Sequence, residues 1–445
     1  MMTPRLADLA SCFEGVIPSV IATRAADGMP NISYLSHVAM VDDEHVALSN
    51  QFFAKTAANI RSDPHASVLV VCPRTGRQYQ LALTWQRSAE HGVLFDHMAA
   101  HLRASSAQIG MADVMRLRAI DIFRVETISP FAAPSEHQVP GAYAAPTLND
   151  LAPALRDLSA QTDPAGVMDL LLSLIRDKFG YRYAMVLLNE PDRALVTAAA
   201  SIGYGQSGVG AEVPHGVGLI GGAAASARSM RINDVSRVRR MGGAVVATSN
   251  EDEVASRRVA LPGFPQAMSQ IAVPMSVQGQ VRGVLFVESP DRLAFDNQAA
   301  AALEMLAQQT ASALALNERL ADEADEPHAS EPPPPADDQH IIEVLHHPFD
   351  HSIFVDHVYV IKGVAGQILM HMLDQYRQAG RADFSNREIR VSMGTALPEF
   401  KDNLETRLLL LRRRLDELEL PIRLHHVGRG RLRLELRGEV VATNT

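Results

Sequence analysis

Residues 213–316 form the stretch that most constrains what this 445-residue chain can fold into. The stretch opens with HGVGLIGGAAASARSM, in which four closely spaced glycines precede a helical pattern. Two apolar runs follow, IAVPMSV and VRGVLFVES, separated by the short polar turn QGQ. A long Ala/Leu-rich pattern, AFDNQAAAALEMLAQQTASALAL, closes it. A glycine-rich helix entry, an apolar hairpin and a long helix together predict an α/β domain built on a central sheet.

This order of elements resembles a GAF domain, a family of small-molecule sensing modules. Apolar residues at helical spacing predict one entry helix over residues 151–179, and buried strands follow at 183–188 and 195–200. The resemblance implies a ligand pocket between the sheet and its loops, and flanking helices that commonly form a parallel homodimer. The candidate ligand-binding residues are Tyr204, Val217, Leu219, Asp234, Gln270 and Met275. The alternative for each of them is simple packing on the sheet.

Two segments without apolar periodicity divide the chain. Residues 132–150 are rich in Pro and Ala, and residues 321–338 combine acidic side chains with four consecutive prolines. Proline and charge favour an extended, solvated tether. We therefore predict four parts: an N-terminal domain at 1–131, a sensor domain at 150–320, a linker at 321–338 and an output domain at 339–445.

Composition excludes several classes of protein. With 47% hydrophobic and 21% charged residues the chain is not wholly disordered, and a net charge of -10 argues against a protein that coats nucleic acid. The only cysteines, Cys12 and Cys72, are too few for a disulfide scaffold or a zinc site. The sequence shows neither a signal peptide nor a membrane-spanning run. We therefore expect a cytoplasmic protein.

The N-terminal segment alternates short apolar strands with turn signals such as Asp27-Gly28, which predicts a small barrel with one clear helix. The run ADGMPNISYLSHVAMVDDEHVALSNQFFAKTAANIRSDPHASVLVV resembles the split-barrel flavoproteins of the pyridoxamine-phosphate oxidase type, although their C-terminal substrate-binding motif has no match here. The resemblance implies FMN, with haem or deazaflavin as alternatives. The implied cofactor-binding residues are Ser49, Asn50, Gln51, Lys55, Thr56, Asn59 and Gln78.

The residue types at these positions suit a phosphate group. A lysine supplies a point charge, and hydroxyl groups near a helix N-terminus supply hydrogen bonds. The resemblance of RQYQLAL to the family implies that Gln78 lies against the flavin ring. Lys55 can equally be a solvated surface lysine, and Gln78 an ordinary strand residue. Trp85, the single tryptophan, is expected to line the barrel wall or core rather than to stack on a flavin.

The C-terminal segment contains two amphipathic helical patterns followed by an alternating, basic hairpin pattern around Gly428 and Gly430. This order, with its LRRRL helix, resembles the winged-helix effector domain of response regulators, in which that helix enters the major groove of DNA. The implied DNA-binding residues are Arg407, Arg412, Arg413, Arg414, Arg429, Arg431 and Arg433. The alternatives are a solvated basic face or a wing that binds another protein.

Five histidines lie close together in the sequence before these helices. Such a density can bind a transition metal or haem, but the apolar residues among them favour packing on a neighbouring domain. These histidines are His340, His346, His347, His351 and His357.

The sequence thus predicts a multidomain α/β protein made of a β split barrel, a GAF α/β sandwich and a C-terminal winged helix. The function that fits best is a ligand- or redox-responsive regulator that binds DNA as a homodimer. The alternatives are an FMN-dependent oxidoreductase regulated by its GAF domain, and an adaptor whose wing binds a protein.

Overall fold

The computed structural model describes residues 4–50, 54–107, 116–131, 147–235, 259, 261–323, 341–393, 404–428 and 430–444. Four sheets organise these residues, two of them in the C-terminal part of the chain. Within these ranges no helix has the length and hydropathy needed to cross a membrane.

The N-terminal domain is a curled, seven-stranded antiparallel sheet whose strands are ordered β2-β1-β5-β6-β7-β4-β3. Alternation of buried and half-exposed residues along β5 places one face of the sheet on an apolar core, which a 3-10 helix at Leu6–Phe13 covers. The strands are β1 Ser19–Arg24, β2 Pro30–Leu35, β3 Val38–Met40, β4 His45–Asn50, β5 His65–Val71, β6 Gln78–Ala89 and β7 Ala119–Phe131, and the helices are α1 Ala54–Ser62 and α2 Val93–Ala107.

The middle domain is a six-stranded antiparallel sheet ordered β10-β9-β8-β13-β12-β11. One face of this sheet packs against three flanking helices, and the other against α5 and against α2 of the N-terminal domain. The strands are β8 Tyr183–Glu190, β9 Leu195–Ile202, β10 Glu212–Pro214, β11 Met230–Ile232, β12 Ser269–Val277 and β13 Gln280–Ser289; the helices are α3 Leu148–Ala160, α4 Pro164–Phe179, α5 Gly218–Ser226 and α6 Asn297–Glu323.

The single entry helix expected over residues 151–179 is wrong, because α3 and α4 are separate helices. The Asp163 side chain accepts a hydrogen bond from the Gly166 backbone N–H at 3.1 Å, and Pro164 occupies the first turn. An aspartate N-cap followed by proline starts a new helix, since proline's missing N–H has no partner to lose there. The apolar pattern continues across the break and therefore hides it.

The C-terminal part has two small sheets around three helices. The strands β14 Ile341–His347, β15 Ser352–Val355 and β16 Val358–Ile361 pair with the last strand, β20 Glu439–Asn444, in the order β16-β15-β14-β20. The second sheet is ordered β17-β19-β18. Its strands are β17 Asp383–Ser385, β18 Ile422–Gly428 and β19 Arg431–Leu436, and the helices are α7 Val364–Ala379, α8 Asn386–Met393 and α9 Leu404–Glu417.

The glycines that open α5 have the role that their spacing suggests. Gly216 and Gly218 have φ values of 79° and 59°, in the region that favours glycine. Gly221 lies against the chain entering the helix, so that an added Cβ would stand 2.1 Å from the Pro214 carbonyl oxygen. The absence of a side chain therefore allows α5 to lie close to strand β10.

We expect Gly221→Ala to lower the free energy of unfolding by about 1–3 kcal/mol, because the methyl group forces the helix away from the strand. Urea unfolding followed by circular dichroism measures the change. Gly205→Ala is the matched control, since nothing lies within 4 Å of its added Cβ. Equal stability of the two variants would show that α5 tolerates a wider spacing.

Candidate functional site

The predicted phosphate-binding residues of the N-terminal domain lie on β4 and α1, but most of their polar atoms are used inside the protein. Thr56 Oγ1 accepts a hydrogen bond from Asn31 Nδ2 at 3.0 Å and shares another with Ser33 Oγ at 3.1 Å. Asn59 Nδ2 donates to Thr23 Oγ1 at 3.1 Å. These contacts tie α1 to strands β1 and β2.

The remaining candidates divide between strand contacts and solvent. Ser49 Oγ accepts from the His37 backbone N–H at 3.0 Å, and Asn50 Nδ2 donates to Asp121 at 3.0 Å. Gln78 begins β6, half-buried between two neighbouring strands, while Lys55 is exposed on α1. Gln51 lies outside the described residues. Among the described candidates, Lys55 is the one whose side chain is exposed and open to a flavin phosphate.

Trp85 packs against the apolar core of the curled sheet, as expected for a residue of the barrel wall. Its indole Nε1 is buried and has no hydrogen-bond partner among the described residues. A buried N–H without a partner is unusual in a native core. It marks the Trp85 side of β6 as a place where a polar group could be accommodated.

We expect Asn59→Ala to lower the free energy of unfolding by about 1–3 kcal/mol, because it removes a buried hydrogen bond between α1 and β1. Lys55→Ala should leave stability within about 0.5 kcal/mol of the parent protein, as for most surface changes. Denaturant unfolding of both variants, followed by FMN titration of each, separates the two roles. Loss of stability in Lys55→Ala would contradict the placement of this lysine at the surface.

In the middle domain, two of the predicted ligand-binding residues meet at a buried carboxylate that sequence reasoning missed. Glu288 accepts hydrogen bonds from Tyr204 Oη at 2.9 Å, Gln270 Nε2 at 2.7 Å and the Phe264 backbone N–H at 3.0 Å. Burial and the Glu288 carboxylate raise the pKa of the Tyr204 hydroxyl. The Tyr183 ring stacks on Phe264 with centroids 4.0 Å apart. These side chains make a polar and aromatic cluster at one end of the sheet.

The other four predicted ligand residues do not join this cluster. Val217 lies at the surface with 54% of its area exposed. Leu219 is buried on the α5 face of the sheet, and Met275 is buried on the opposite face, with the flanking helices. Asp234 pairs with Arg292 at 2.5 Å. The period-2 alternation of β12 places Gln270 and Met275, five residues apart, on opposite faces.

The junction between the N-terminal and middle domains centres on Glu14, whose side chain is 1% exposed. It accepts hydrogen bonds from Arg74 at 3.2 Å and from Asn233 Nδ2 at 2.9 Å, and Arg231 lies 3.8 Å away. Burial raises the pKa of Glu14, and the two arginines oppose this shift. Arg74 also donates to the Leu293 carbonyl at 2.7 Å, which extends the contact into the middle domain.

Three histidines line a cavity of about 370 Å³ beside Glu14. The rings of His37 and His101 stack with centroids 4.9 Å apart, and His101 Nε2 lies 3.1 Å from the Arg231 carbonyl oxygen. Burial, followed by the neighbouring histidines, lowers the pKa of His37 to about 3. Burial likewise lowers the pKa of His97 to about 4 and that of His101. The junction is therefore built with neutral imidazoles.

Because the folded state keeps these histidines neutral, stability should fall as the pH drops below the ordinary histidine pKa of about 6.5, where the unfolded chain takes up protons and the folded chain does not. The loss continues down to the lowered pKa values. Thermal unfolding at neutral pH and about one unit below 6.5 measures it. His37→Asn should reduce the pH-dependent difference, whereas His91→Asn, at an exposed position, should not. An unchanged difference in His37→Asn would contradict a neutral His37.

Three of the four predicted DNA-binding arginines of α9 pair with carboxylates of the middle domain. Arg407 pairs with Glu190 at 2.5 Å, Arg412 with Asp163 at 3.6 Å and Arg413 with Asp169 at 2.7 Å. Arg414 instead pairs with Glu417 on the same helix and donates to the Val360 carbonyl. The structure therefore does not present these four arginines as one open basic face.

The predicted wing residues lie on the hairpin that follows α9. Arg433 pairs with Asp383 of the neighbouring strand at 2.6 Å, and Arg431 is half-buried at the start of β19. Arg429 lies outside the described residues. The hairpin itself pairs β18 with β19 as its alternating sequence predicts.

The histidine-rich segment forms strands β14 to β16 and does not act as one cluster. His346 and His351 stack with centroids 5.5 Å apart, His347 meets the edge of Phe354, and His357 is exposed near Glu343. His340 lies outside the described residues. Across the described ranges no group of three or more His, Cys, Asp or Glu side chains is arranged to hold a metal ion.

Comparison with protein-family models defines two of the domains. Residues 8–126 match the pyridoxamine 5'-phosphate oxidase model, and residues 161–315 match the GAF domain model. The N-terminal domain is therefore pyridoxamine-phosphate-oxidase-like, and the middle domain is a GAF domain, as the sequence predicted. Neither model extends to residues 341–444. A search of curated proteins gives no match.

Among solved structures, the GAF domain of an Acinetobacter phosphoenolpyruvate-protein phosphotransferase is 18% identical with a TM-score of 0.32, covering 39% of this chain and 95% of that one. An FMN-binding protein from Syntrophomonas wolfei subsp. wolfei is 16% identical with a TM-score of 0.25, covering 28% and 84%. Free methionine-R-sulfoxide reductase from Neisseria meningitidis is 18% identical with a TM-score of 0.31, covering 40% and 98%.

Proposed function

We propose that this protein is a ligand-responsive regulator in which the two N-terminal domains sense a small molecule and the C-terminal domain binds DNA. Both domains that match family models are of sensory or cofactor-binding types. No catalytic triad or phosphate-binding loop was found in the sequence.

The arrangement of the C-terminal elements carries the proposal. Three helices, α7, α8 and α9, precede the hairpin of β18 and β19, and α9 ends only a few residues before the hairpin begins. In a helix followed by a β-hairpin wing, arginines of the helix can contact base edges in the major groove, and arginines of the hairpin can contact phosphates. Arg412, Arg413 and Arg431 are the side chains that would make these contacts.

The cluster around Glu288 is the proposed ligand site of the GAF domain. Tyr204 and Gln270 already orient hydrogen-bonding groups there, and the Tyr183 and Phe264 rings supply an apolar wall. A ligand changes the output only if it binds one arrangement of the domains more tightly than another. Flavin binding by the N-terminal domain remains a further proposal, with Lys55 as its supporting residue.

A homodimer along α6 completes the proposal. Met305 and Leu316 are exposed on this long helix, with 40% and 53% of their areas accessible. Exposed apolar residues on a long helix suit a helix–helix seam between two copies. A dimer would also present two output domains to DNA, as paired half-sites require.

We expect the full chain to bind a mixed-sequence DNA duplex with an affinity that falls linearly on a logarithmic salt scale. Arg431→Ala should weaken binding and reduce the salt slope by about one, because one phosphate contact is lost. Fluorescence anisotropy over a range of salt concentrations measures both quantities. Arg176→Ala is the control, since Arg176 lies on α4 of the GAF domain and pairs with the adjacent Asp177. Absence of salt-dependent binding would favour the protein-binding adaptor.

An FMN-dependent oxidoreductase is the second candidate, favoured by the match of residues 8–126 to the pyridoxamine 5'-phosphate oxidase model. Oxidation of a reduced nicotinamide cofactor by the FMN-supplemented protein, lost in Lys55→Ala, would support it. A protein that takes up no FMN would leave the N-terminal domain as a sensor or scaffold.

A further inference from the structure

Helix α9 is buried on two opposite sides. Leu404, Leu408, Leu411 and Leu415 pack in the core of the C-terminal domain. Leu409 and Leu410, which are 6% and 3% exposed, belong instead to the apolar core that the GAF domain forms with its flanking helices. A helix that packs only against its own domain needs apolar residues along one side. The second apolar side of α9 has the GAF domain as its partner.

The positions of these residues follow helical geometry. Leu409, Leu410 and Arg413 are spaced i, i+1 and i+4, on the side of α9 opposite to Leu408 and Leu411. That side points away from the core of the C-terminal domain. In a winged-helix arrangement it is the side that would face DNA.

Charged contacts surround this apolar contact. The side chains of Arg407, Arg412 and Arg413 are only 12%, 16% and 17% exposed, and each pairs with a GAF carboxylate. We define the acidic face as Asp163, Asp169 and Glu190. The three arginines pair with three carboxylates, and these pairs surround the two buried leucines. The two surfaces are therefore complementary in charge and in hydrophobicity.

Glu190 is the buried member of the acidic face, with a side chain that is 2% exposed. Besides pairing with Arg407, Glu190 accepts hydrogen bonds from Thr197 Oγ1 at 2.5 Å and from Arg193 at 3.0 Å. Burial alone would raise the pKa of Glu190, but Arg407, Thr197 and Arg193 outweigh it and lower that pKa. Withdrawal of α9 would remove one arginine from a buried carboxylate.

We infer that the acidic face of the GAF domain is the docking surface of α9, and that DNA and the acidic face compete for the same arginines. The inference rests on the proposed function, because the competitor is the DNA that the C-terminal domain would bind. A phosphate backbone offers the same negative charge as the carboxylates, so the arginines of α9 cannot bind DNA and the acidic face at the same time. The docked arrangement is therefore the state with low DNA affinity.

Strand β8 connects the acidic face to the proposed ligand site. The strand begins at Tyr183, which stacks on Phe264, and ends at Glu190, which holds Arg407. Its eight residues lie between β9 and β13. A ligand that displaces the Tyr183 ring acts on the same strand that carries the docking carboxylate.

The test is the double change Asp163→Asn and Asp169→Asn in the full chain. Asparagine keeps the N-cap that Asp163 provides to α4, so the substitution removes charge without removing the helix cap. We expect DNA affinity to rise about two- to tenfold, as the loss of two such ion pairs predicts. Small-angle scattering without DNA should show a larger average radius of gyration, because a larger fraction of the molecules has the C-terminal domain away from the GAF domain. Asp177→Asn, at the other end of α4, is the matched control and should change neither quantity.

The outcomes separate the inference from the proposed function. A double variant that is more extended and binds DNA more tightly, beside an unchanged control, supports the inference. If the parent protein binds DNA and the double variant binds it equally well, the inference is overturned and the proposed function stands. If neither protein binds DNA at low salt, although scattering shows a larger radius of gyration for the double variant, the proposed function is overturned. The inferred competition with DNA is then overturned as well.

Discussion

Two buried carboxylates, Glu14 and Glu190, hold the three domains of this protein together. Their side chains are 1% and 2% exposed, and each has one arginine of the neighbouring domain beside it: Arg231 for Glu14 and Arg407 for Glu190. Removing a partner from a buried ion pair costs about 3–5 kcal/mol, because the remaining charge is left without compensation. Separation at either junction therefore requires water or another cation to replace the lost arginine. The ion pairs of these two carboxylates therefore stabilise the arrangement of all three domains.

The GAF domain is the centre of this arrangement because its sheet carries both junctions. Strand β11 and the residues after it contribute Arg231 and Asn233 to Glu14, while β8 ends in Glu190. The two strands lie in one six-stranded sheet, with β12 and β13 between them. A sheet is stiff along its hydrogen-bonded ladder, so a change at one junction has a continuous path to the other. The histidines beside Glu14 add a pH-sensitive element to the first junction, and His426, whose pKa is lowered by burial near Asp163 and Arg412, lies at the second.

Local elements were predicted well from the sequence, and tertiary contacts were not. The β12–β13 hairpin, α6 and the hairpin of β18 and β19 follow from patterns within a few residues, and the structure contains each of them. The break before Pro164 was missed because apolar spacing runs through it. Strands β14 to β16 were missed because β15 and β16 are only four residues long and β16 is followed closely by the apolar spacing of α7. Glu288 gave no signal in the sequence, since its partners come from distant segments: Tyr204 from the loop after β9 and Gln270 from β12.

The run Leu408–Leu411 indicates in the sequence itself that α9 has a second partner. Four consecutive leucines on a helix necessarily point in all directions, so that two of them lie opposite the stripe that packs into their own domain. A helix that is apolar on both sides needs a second partner, and the arginines on either side of the run predict that this partner is acidic. Asp163, Asp169 and Glu190 provide that acidity in the GAF domain. Under the proposed function, the positive charge that suits α9 for DNA is the same charge that suits it for the GAF domain, and a regulator built in this way would need no separate inhibitory segment.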